Sequence, residues 1–228
     1  EGRRGWRSAA TSGSTSGRRQ VYVRILGGGK HDRGFAGLTF LASANDRGQA
    51  GNGDSYDPVI SRSGKHVAFT STATNLARGD RSPGSDVYRR SFHRVFRHLG
   101  NGKGEQVLRF ETDLVSATPS GRAGNGDSQH PQITDDGRYI AYETVASNLL
   151  PGDTNGVSDI AQADMNGRRP TQTWVSKSKF TTIGNGGSFN PTMSDAGEFV
   201  LFESDATNLK PSASVRDDAN GVRDVFLW

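Results

Sequence analysis

The chain has 228 residues, a formal net charge of +4 and 32% hydrophobic residues. A chain of this length can bury a core, and its mixed charges argue against global disorder. Because it has no cysteine, disulfides and thiolate metal sites are excluded, and no apolar run approaches the roughly 20 residues that span a bilayer.

A short motif recurs along the chain. Gly-Asn-Gly-Asp-Ser occupies positions 51–55 and 124–128, and Gly-Asn-Gly-Gly-Ser occupies positions 184–188. Each copy continues in register with a proline, a turn glycine, an apolar segment and an Asn-Leu pair. The prolines are Pro58, Pro131 and Pro191, and the pairs begin at Asn75, Asn148 and Asn208. Agreement at this many offsets indicates an internal repeat.

Each repeat predicts four short strands, because its apolar segments are bounded by Gly, Asn, Asp and Ser clusters. Sustained helical periodicity is absent. Four-stranded units of this period indicate an all-β fold, a β-propeller of antiparallel blades. We predict three nearly complete blades at about 44–117, 118–177 and 178–228, and a partial blade at 19–43. Residues 1–18 are predicted to be a flexible or degenerate N-terminal segment.

The predicted blades leave open edges at both ends of the chain. Unpaired strand edges favour association. Two interpretations follow: the chain is part of a longer propeller, or chains associate edge to edge. Residues 91–104 are predicted to be an insertion between the third and fourth strands of the first complete blade, with basic and aromatic side chains.

The repeat resembles the TolB-like, WD40-like repeat family of bacterial propellers. The resemblance covers about residues 38–228. It is clearest from Pro131 through Asn148-Leu149 and the segment 153–156, Asp-Thr-Asn-Gly, to Asp159-Ile160. It implies an extracytoplasmic protein, either periplasmic, secreted or at the cell surface. Such repeats serve as binding platforms and as appendages to enzymes.

Two loops of the pattern Asp-x-Asn-Gly-x-x-Asp are candidate calcium sites. Their side-chain oxygens belong to Asp153, Asn155 and Asp159 in one loop and to Asp218, Asn220 and Asp224 in the other. Calcium binds carboxylate and amide oxygens, so calcium is the one cofactor that the sequence suggests. The alternative is that these residues close the turn by hydrogen bonding to their own backbone.

Asp54 and Asp127, in the Gly-Asn-Gly loops, are the candidate ligand face. In an up-and-down blade, these loops lie on the same rim as the Asp-x-Asn-Gly loops. The alternative is tight-turn chemistry, for which Asn-Gly is a preferred pair. The repeated asparagines before leucine are predicted to cap turns.

A basic patch is predicted in and beside the insertion, where it would attract an anionic polymer, including nucleic acid. Its residues are Arg89, Arg90, Arg94, Arg97 and Lys103. The alternative is a solvated charged surface.

Nothing in the sequence identifies an enzyme. The five histidines, His130 among them, are scattered and form no ligand pair, so no zinc site is predicted. Neither a nucleophile elbow nor a phosphate loop occurs. We therefore predict a non-enzymatic binding or assembly module, which uses the loops of one face to contact a ligand or protein partner. The alternatives are a propeller domain of a secreted hydrolase or lyase, and a binder of anionic polymers.

Overall fold

A computed structural model describes residues 8–15, 17–26, 35–100, 103–178, 182–209 and 220–228, the first range by its backbone alone. These residues form fourteen strands in four antiparallel sheets. Strands that follow one another in each sheet pair as neighbours, so each sheet is an up-and-down blade. The predicted all-β class and blade architecture are confirmed. The described ranges hold no helix able to cross a membrane.

The first two sheets contain three and four strands. The strands of the first sheet are β1 (Ser8–Thr15), β2 (Arg18–Ile25) and β3 (Thr39–Leu41). The strands of the second sheet are β4 (Ser55–Ile60), β5 (His66–Ser71), β6 (Asp86–Gly100) and β7 (Lys103–Leu114).

The third and fourth sheets contain four and three strands. The strands of the third sheet are β8 (Ser128–Ile133), β9 (Tyr139–Thr144), β10 (Asp159–Asp164) and β11 (Thr171–Trp174). The strands of the fourth sheet are β12 (Ser188–Met193), β13 (Val200–Ser204) and β14 (Asp224–Leu227). The first strands of the last three sheets, β4, β8 and β12, adjoin one another and are here called the inner strands.

The first sheet lacks an inner strand among the described residues. Its β2 corresponds to the third strand of the later blades, because the backbone N–H of Val21 donates to Ser43 Oγ just as that of Val87 donates to Ser116 Oγ. Strand β1 lies inside the segment predicted to be flexible or degenerate. It pairs with β2 along its whole length.

The insertion at 91–104 lengthens β6 and β7 into a two-stranded ribbon. Pairing continues without a break from Ser91 opposite Glu111 to the region of His98. At the base of the ribbon, the rings of Phe92 and Phe110 lie 5.1 and 5.0 Å from the ring of Phe40. These aromatic contacts fasten the ribbon to the first sheet.

Consecutive sheets pack face to face, and each seam between two sheets has its own apolar core. Alternation along a strand directs successive side chains to opposite seams. On β5, for example, Val67 and Phe69 pack toward the first sheet, whereas Ala68 packs toward the third. The third seam is filled by Ala141 and Phe202, among others. No buried apolar residue belongs to more than one of the three described cores.

The repeated asparagines hold the Gly-Asn-Gly loops in place, as predicted for turn-capping residues. Asn75 Oδ1 accepts a hydrogen bond from the backbone N–H of Asn52 at 2.9 Å, and Asn52 Oδ1 accepts one from Thr74 N at 2.8 Å. The same reciprocal pairs recur in the next two blades. A Cβ on Gly53 would lie 2.5 Å from the carbonyl carbon of Thr72, so this loop requires glycine.

Candidate binding site on the inner strands

Each inner strand contains a β-bulge at the residue before the repeated proline. The backbone is left-handed there, with φ of 48° at Asp57 and 53° at both His130 and Asn190. The pairing register shifts at the same points. A residue before proline normally adopts an extended conformation, so three equivalent left-handed residues store local strain. Strain of this kind concentrates at functional sites, which directs attention to these bulges.

The bulges bring side chains of different blades into contact. His130 Nε2 lies 3.5 Å from Asp57 Oδ2, and His130 Nδ1 lies 3.1 Å from Glu143 Oε1. The backbone N–H of Asn190 donates to the same Glu143 oxygen at 2.6 Å. A continuous polar chain therefore crosses three blades.

Glu143 is the buried member of this chain, with only 4% of its surface exposed. It lies on β9, opposite Gln129 of the neighbouring inner strand. A buried carboxylate requires hydrogen-bond donors to offset the loss of hydration. The backbone of Asn190 supplies one donor, and the ring of His130 is placed to supply another.

The three bulges line one cavity of about 350 Å³. Each inner strand contributes an equivalent tripeptide, namely 57–59, 130–132 and 190–192. The prolines supply an apolar surface, and the residues before them supply polar groups. A pocket with a largely apolar lining and a few converging polar groups is a common form of ligand site.

His130 lies between the two carboxylates of the site, and its side chain is 46% exposed. Both ring nitrogens face carboxylates, and only the imidazolium has an N–H on each nitrogen. With a neutral ring, the carboxylates of Asp57 and Glu143 leave the site with a charge of −2. The site can therefore hold a cation or a hydrogen-bond donor.

The first Asp-x-Asn-Gly loop forms a hydrogen-bonded turn. Asn155 Nδ2 donates to Asp159 Oδ2 at 2.9 Å and to the carbonyl of Gly184 at 2.8 Å. Asn155 Oδ1 accepts from the backbone of Val157 at 3.0 Å, and Asp153 Oδ1 accepts from the backbone of Asn155. The asparagine thus presents an N–H, not an oxygen, to the carboxylate that would bind a cation.

The second loop repeats this arrangement in the part that is described. Asn220 Nδ2 donates to Asp224 Oδ2 at 2.9 Å, and Asn220 Oδ1 accepts from Val222 N. Asp218 lies outside the described residues. No group of three His, Cys, Asp or Glu side chains suited to a metal occurs in the described ranges. Calcium binding by these two loops stays a prediction.

Two of the loop carboxylates are buried at the start of third strands. Asp159 accepts from Ser176 Oγ at 2.8 Å, and Asp86 accepts from Ser116 Oγ at 2.7 Å. Burial raises the pKa of Asp159 to about 6 and that of Asp86 to about 7. In the first sheet, Gln20 occupies the same position without a charge.

Asp54 and Asp127, the predicted ligand face, each link two blades. Asp54 Oδ1 accepts from the backbone of Arg19 at 2.8 Å, and Asp127 Oδ1 accepts from the backbone of Ser85 at 2.7 Å. One oxygen of each carboxylate therefore accepts a hydrogen bond across the seam between two sheets. Ligand binding by these residues stays a prediction.

The residues of the predicted basic patch occupy different environments. Arg90 is buried at 3% exposure, and Arg89 pairs with Asp113 at 2.7 Å. Arg94 lies over the ring of Phe35, and Arg97 pairs with Glu105 on the ribbon. Lys103 is exposed where β7 begins. Binding of an anionic polymer by these residues also stays a prediction.

Sequence reasoning missed the inner-strand site. The signal was the residue before each repeated proline, because it is polar in all three repeats yet differs among them: Asp57, His130 and Asn190. Glu143 carried a weaker signal, since Glu203 occupies its position in the last repeat but Thr70 occupies it in the preceding one. Its role depends on how the blades pack.

No protein-family model matches the chain, and neither does any curated protein. Among solved structures, the chain is similar to a protein assigned as TolB from Agrobacterium tumefaciens, with 17% identity and a TM-score of 0.45. That comparison covers 96% of this chain and 61% of the other.

The chain is also similar to two peptidases of known structure. The tricorn protease matches 96% of this chain, and this chain spans 16% of it, at 17% identity and a TM-score of 0.43. A prolyl endopeptidase matches 82% of this chain, and this chain spans 23% of it, at 14% identity and a TM-score of 0.42.

Proposed function

We propose that this chain is a non-enzymatic binding module, in which a propeller scaffold holds a partner at the inner-strand site. The observation that carries the proposal is the polar chain of Asp57, His130 and Glu143 beside a cavity lined by three blades. Two carboxylates around one imidazole favour a ligand with a positive charge. An ammonium or guanidinium side chain of a protein partner has this chemistry.

The rest of the proposal concerns location and further contacts. The loops that carry Asp54 and Asp127 would give a protein partner additional contacts on the rim, beyond their seam hydrogen bonds. We place the protein outside the cytoplasm because its repeats resemble those of extracytoplasmic bacterial propellers.

A titration with arginine amide tests the inner-strand proposal, with acetate as the anionic comparison. The imidazole resonances of His130 report binding at the site by nuclear magnetic resonance. We expect saturable shifts with arginine amide, and at least tenfold weaker binding in the double variant Asp57→Asn, Glu143→Gln.

Asp195→Asn is the matched control, because that exposed carboxylate pairs with Arg62 away from the inner-strand cavity. Its affinity should stay within about twofold of the unmodified protein, a small effect on the free-energy scale of binding. Binding that is unchanged in the double variant, or unshifted His130 resonances, would disprove the proposal.

One observation favours a hydrolase or lyase domain as the second candidate. A histidine flanked by two carboxylates, as His130 is by Asp57 and Glu143, can accept and return a proton. Assays of the unmodified chain with peptide and polysaccharide substrates would reveal such an activity. Turnover that disappears in His130→Gln would support this candidate over the binding proposal.

The assembly part of the proposal rests on the fourth sheet. Leu201, Val225 and Leu227 are 45%, 70% and 63% exposed. Leu201 and Val225 occupy the positions that Ala68 and Val87 fill in the second sheet, where both are buried in a seam. Apolar surface of this kind marks an interaction site.

We propose that a further blade covers the exposed face of the fourth sheet, supplied by a longer chain or by a second copy. Light scattering at increasing protein concentration distinguishes the two sources. A dimer that dissociates in the variant Val225→Glu supports a second copy. A monomer at all concentrations excludes it.

A further inference from the structure

A second cavity, of about 330 Å³, lies at the seam between the second and third sheets. It is lined by residues that follow β5, by parts of β6 and β7, and by the turn between β10 and β11. Four of its lining residues are arginines and one is acidic: Arg78, Arg89, Arg168, Arg169 and Asp113. We call these residues and the space between them the arginine cleft. Its formal charge is +3.

Only one of the four guanidinium groups is neutralised. Arg89 donates to Asp113 Oδ2 at 2.7 and 3.2 Å and to the carbonyl of Gly137 at 2.8 Å, so each of its three guanidinium nitrogens has a partner and its charge is paired. Arg169 donates to the carbonyl of Pro119 at 3.1 Å, which leaves its charge unbalanced.

The other two arginines of the cleft are exposed. Arg78 and Arg168 form no ion pair with any carboxylate in the ranges that the structure describes. Three unbalanced cations at one cavity repel one another, and an anion between them would relieve that repulsion.

The equivalent cavity at the first seam differs in charge. It is lined by three arginines and two acids: Arg47, Arg90, Arg109, Asp46 and Glu111. Its formal charge is +1, and one of its arginines, Arg90, is buried at 3% exposure. The repeat places Pro119 at the position of Asp46, which removes one acid from the second seam. The charge of the arginine cleft therefore differs from that of the equivalent cavity at the first seam.

We propose that the arginine cleft binds a ligand through an oxyanion, that is, a phosphate, sulfate or carboxylate group. Guanidinium groups bind such groups through paired N–H donors, and they do so better than lysine. Leu114, Met165 and Pro170 give the cavity apolar surface beside the charges. A compact molecule with an apolar body and an anionic group fits this combination. The site is separate from the inner-strand site, so the two proposals stand independently.

Calorimetric titration with pyrophosphate, sulfate and citrate at low ionic strength tests this proposal and distinguishes the three oxyanion chemistries. We expect one-site saturable binding of at least one probe. The double variant Arg78→Gln, Arg168→Gln should bind that probe at least tenfold more weakly. Neither side chain bonds to another described residue, so the variant should stay folded, with a thermal midpoint without ligand that is equal to or slightly above that of the unmodified protein because less charge repulsion remains.

Two further variants serve as controls. The double variant Arg47→Gln, Arg109→Gln alters the equivalent cavity, and Arg97→Gln, Lys103→Gln alters the ribbon. Both should retain the affinity of the unmodified protein within about twofold. The proposal is overturned by the absence of saturable binding of all three probes, by unchanged binding in the cleft variant, or by loss of binding in the ribbon variant alone.

Discussion

Ser116 Oγ donates a hydrogen bond to Asp86 Oδ1 at 2.7 Å, while the other oxygen of that buried carboxylate has no partner in the described structure. Burial raises the pKa of Asp86 to about 7. The hydrogen bond from Ser116 opposes this rise, and the charges of Asp80 and Asp127 add to it. When Asp86 is ionised, its burial therefore destabilises the second blade.

We expect the free energy of unfolding to depend on pH through Asp86. Its pKa is 3.8 in an ordinary setting and about 7 in the fold. Between pH 3.8 and about 7, Asp86 is deprotonated in the unfolded chain but still protonated in the folded chain. Stability attributable to this group should therefore fall as pH rises through this window, by up to about 1.4 kcal/mol per pH unit, and level off above it.

Urea unfolding at a series of pH values measures this dependence. Asp86→Asn should gain stability relative to the unmodified protein as pH rises from 3.8 to about 7. Asp135→Asn, at an exposed turn, should show no such trend. Parallel pH profiles for Asp86→Asn and the unmodified protein would show that Asp86 ionises normally.

Ser82→Asn should stabilise the second blade. Ser82 occupies the position of Asn155, and Ser82 Oγ accepts from Gly84 N as Asn155 Oδ1 accepts from Val157 N. An asparagine at position 82 would keep that bond and direct an N–H to the unpartnered oxygen of Asp86. We expect a gain of about 0.5–1.5 kcal/mol in the free energy of unfolding.

Two further variants test whether the gain in stability comes from the hydrogen bond to Asp86. Ser82→Asn in an Asp86→Asn background should lose most of the gain, because the acceptor carboxylate is gone. The reverse change, Asn155→Ser, should destabilise the third blade by about 1–3 kcal/mol. A destabilised Ser82→Asn protein would argue against the equivalence of the two loops.

Calcium binding requires the Asn155 amide to rotate away from its present hydrogen bonds. If the loop binds calcium, millimolar calcium should raise Tm relative to the chelated protein, because binding to the folded state alone stabilises it. Asp153→Asn should remove the increase, and Asp80→Asn in the second blade should not. Equal Tm values with calcium and with chelator would leave these residues as turn-closing groups.

Asp127→Ala should weaken the seam between the second and third blades. It removes the acceptor for the N–H of Ser85, which is itself buried. We expect Asp127→Ala to lower the free energy of unfolding by about 1–3 kcal/mol. Asp127→Asn should lower it less, because its side-chain carbonyl can still accept the hydrogen bond from Ser85. Thermal unfolding of both variants measures the difference. An Asp127→Ala protein of unchanged stability would show that this hydrogen bond contributes little to the seam.

The repeat predicted the fold well because it encodes local structure. The offset from Pro58 to Phe69 fixes an inner strand, a turn and a second strand, and the same offsets recur in the later copies. The ribbon was missed as a structure because His93 to Gly100 lack the alternation of a half-buried strand. They form a strand by pairing with the segment from Lys103 to Arg109, beyond the rest of the sheet.

The candidate site was harder to predict, because its contacts join residues of different repeats. His130 lies far in sequence from Asp57, yet it contacts Asp57 of the preceding blade and Glu143 of its own blade. The pairing of β8 with β9 brings Glu143 to the ring, and the packing of β4 against β8 brings Asp57 to it. Arg78 and Arg168 likewise share a cavity because the two blades meet there.

Because each seam has its own apolar core, resistance to local unfolding should differ from one sheet to the next. Its second and third sheets are held on both faces by such cores, and the first and fourth on one each. Stability in such an array approximates a sum over nearest neighbours. Amide hydrogen exchange should therefore be slowest in β5 and β9 and fastest in β14, with protection graded along the chain rather than lost in one step.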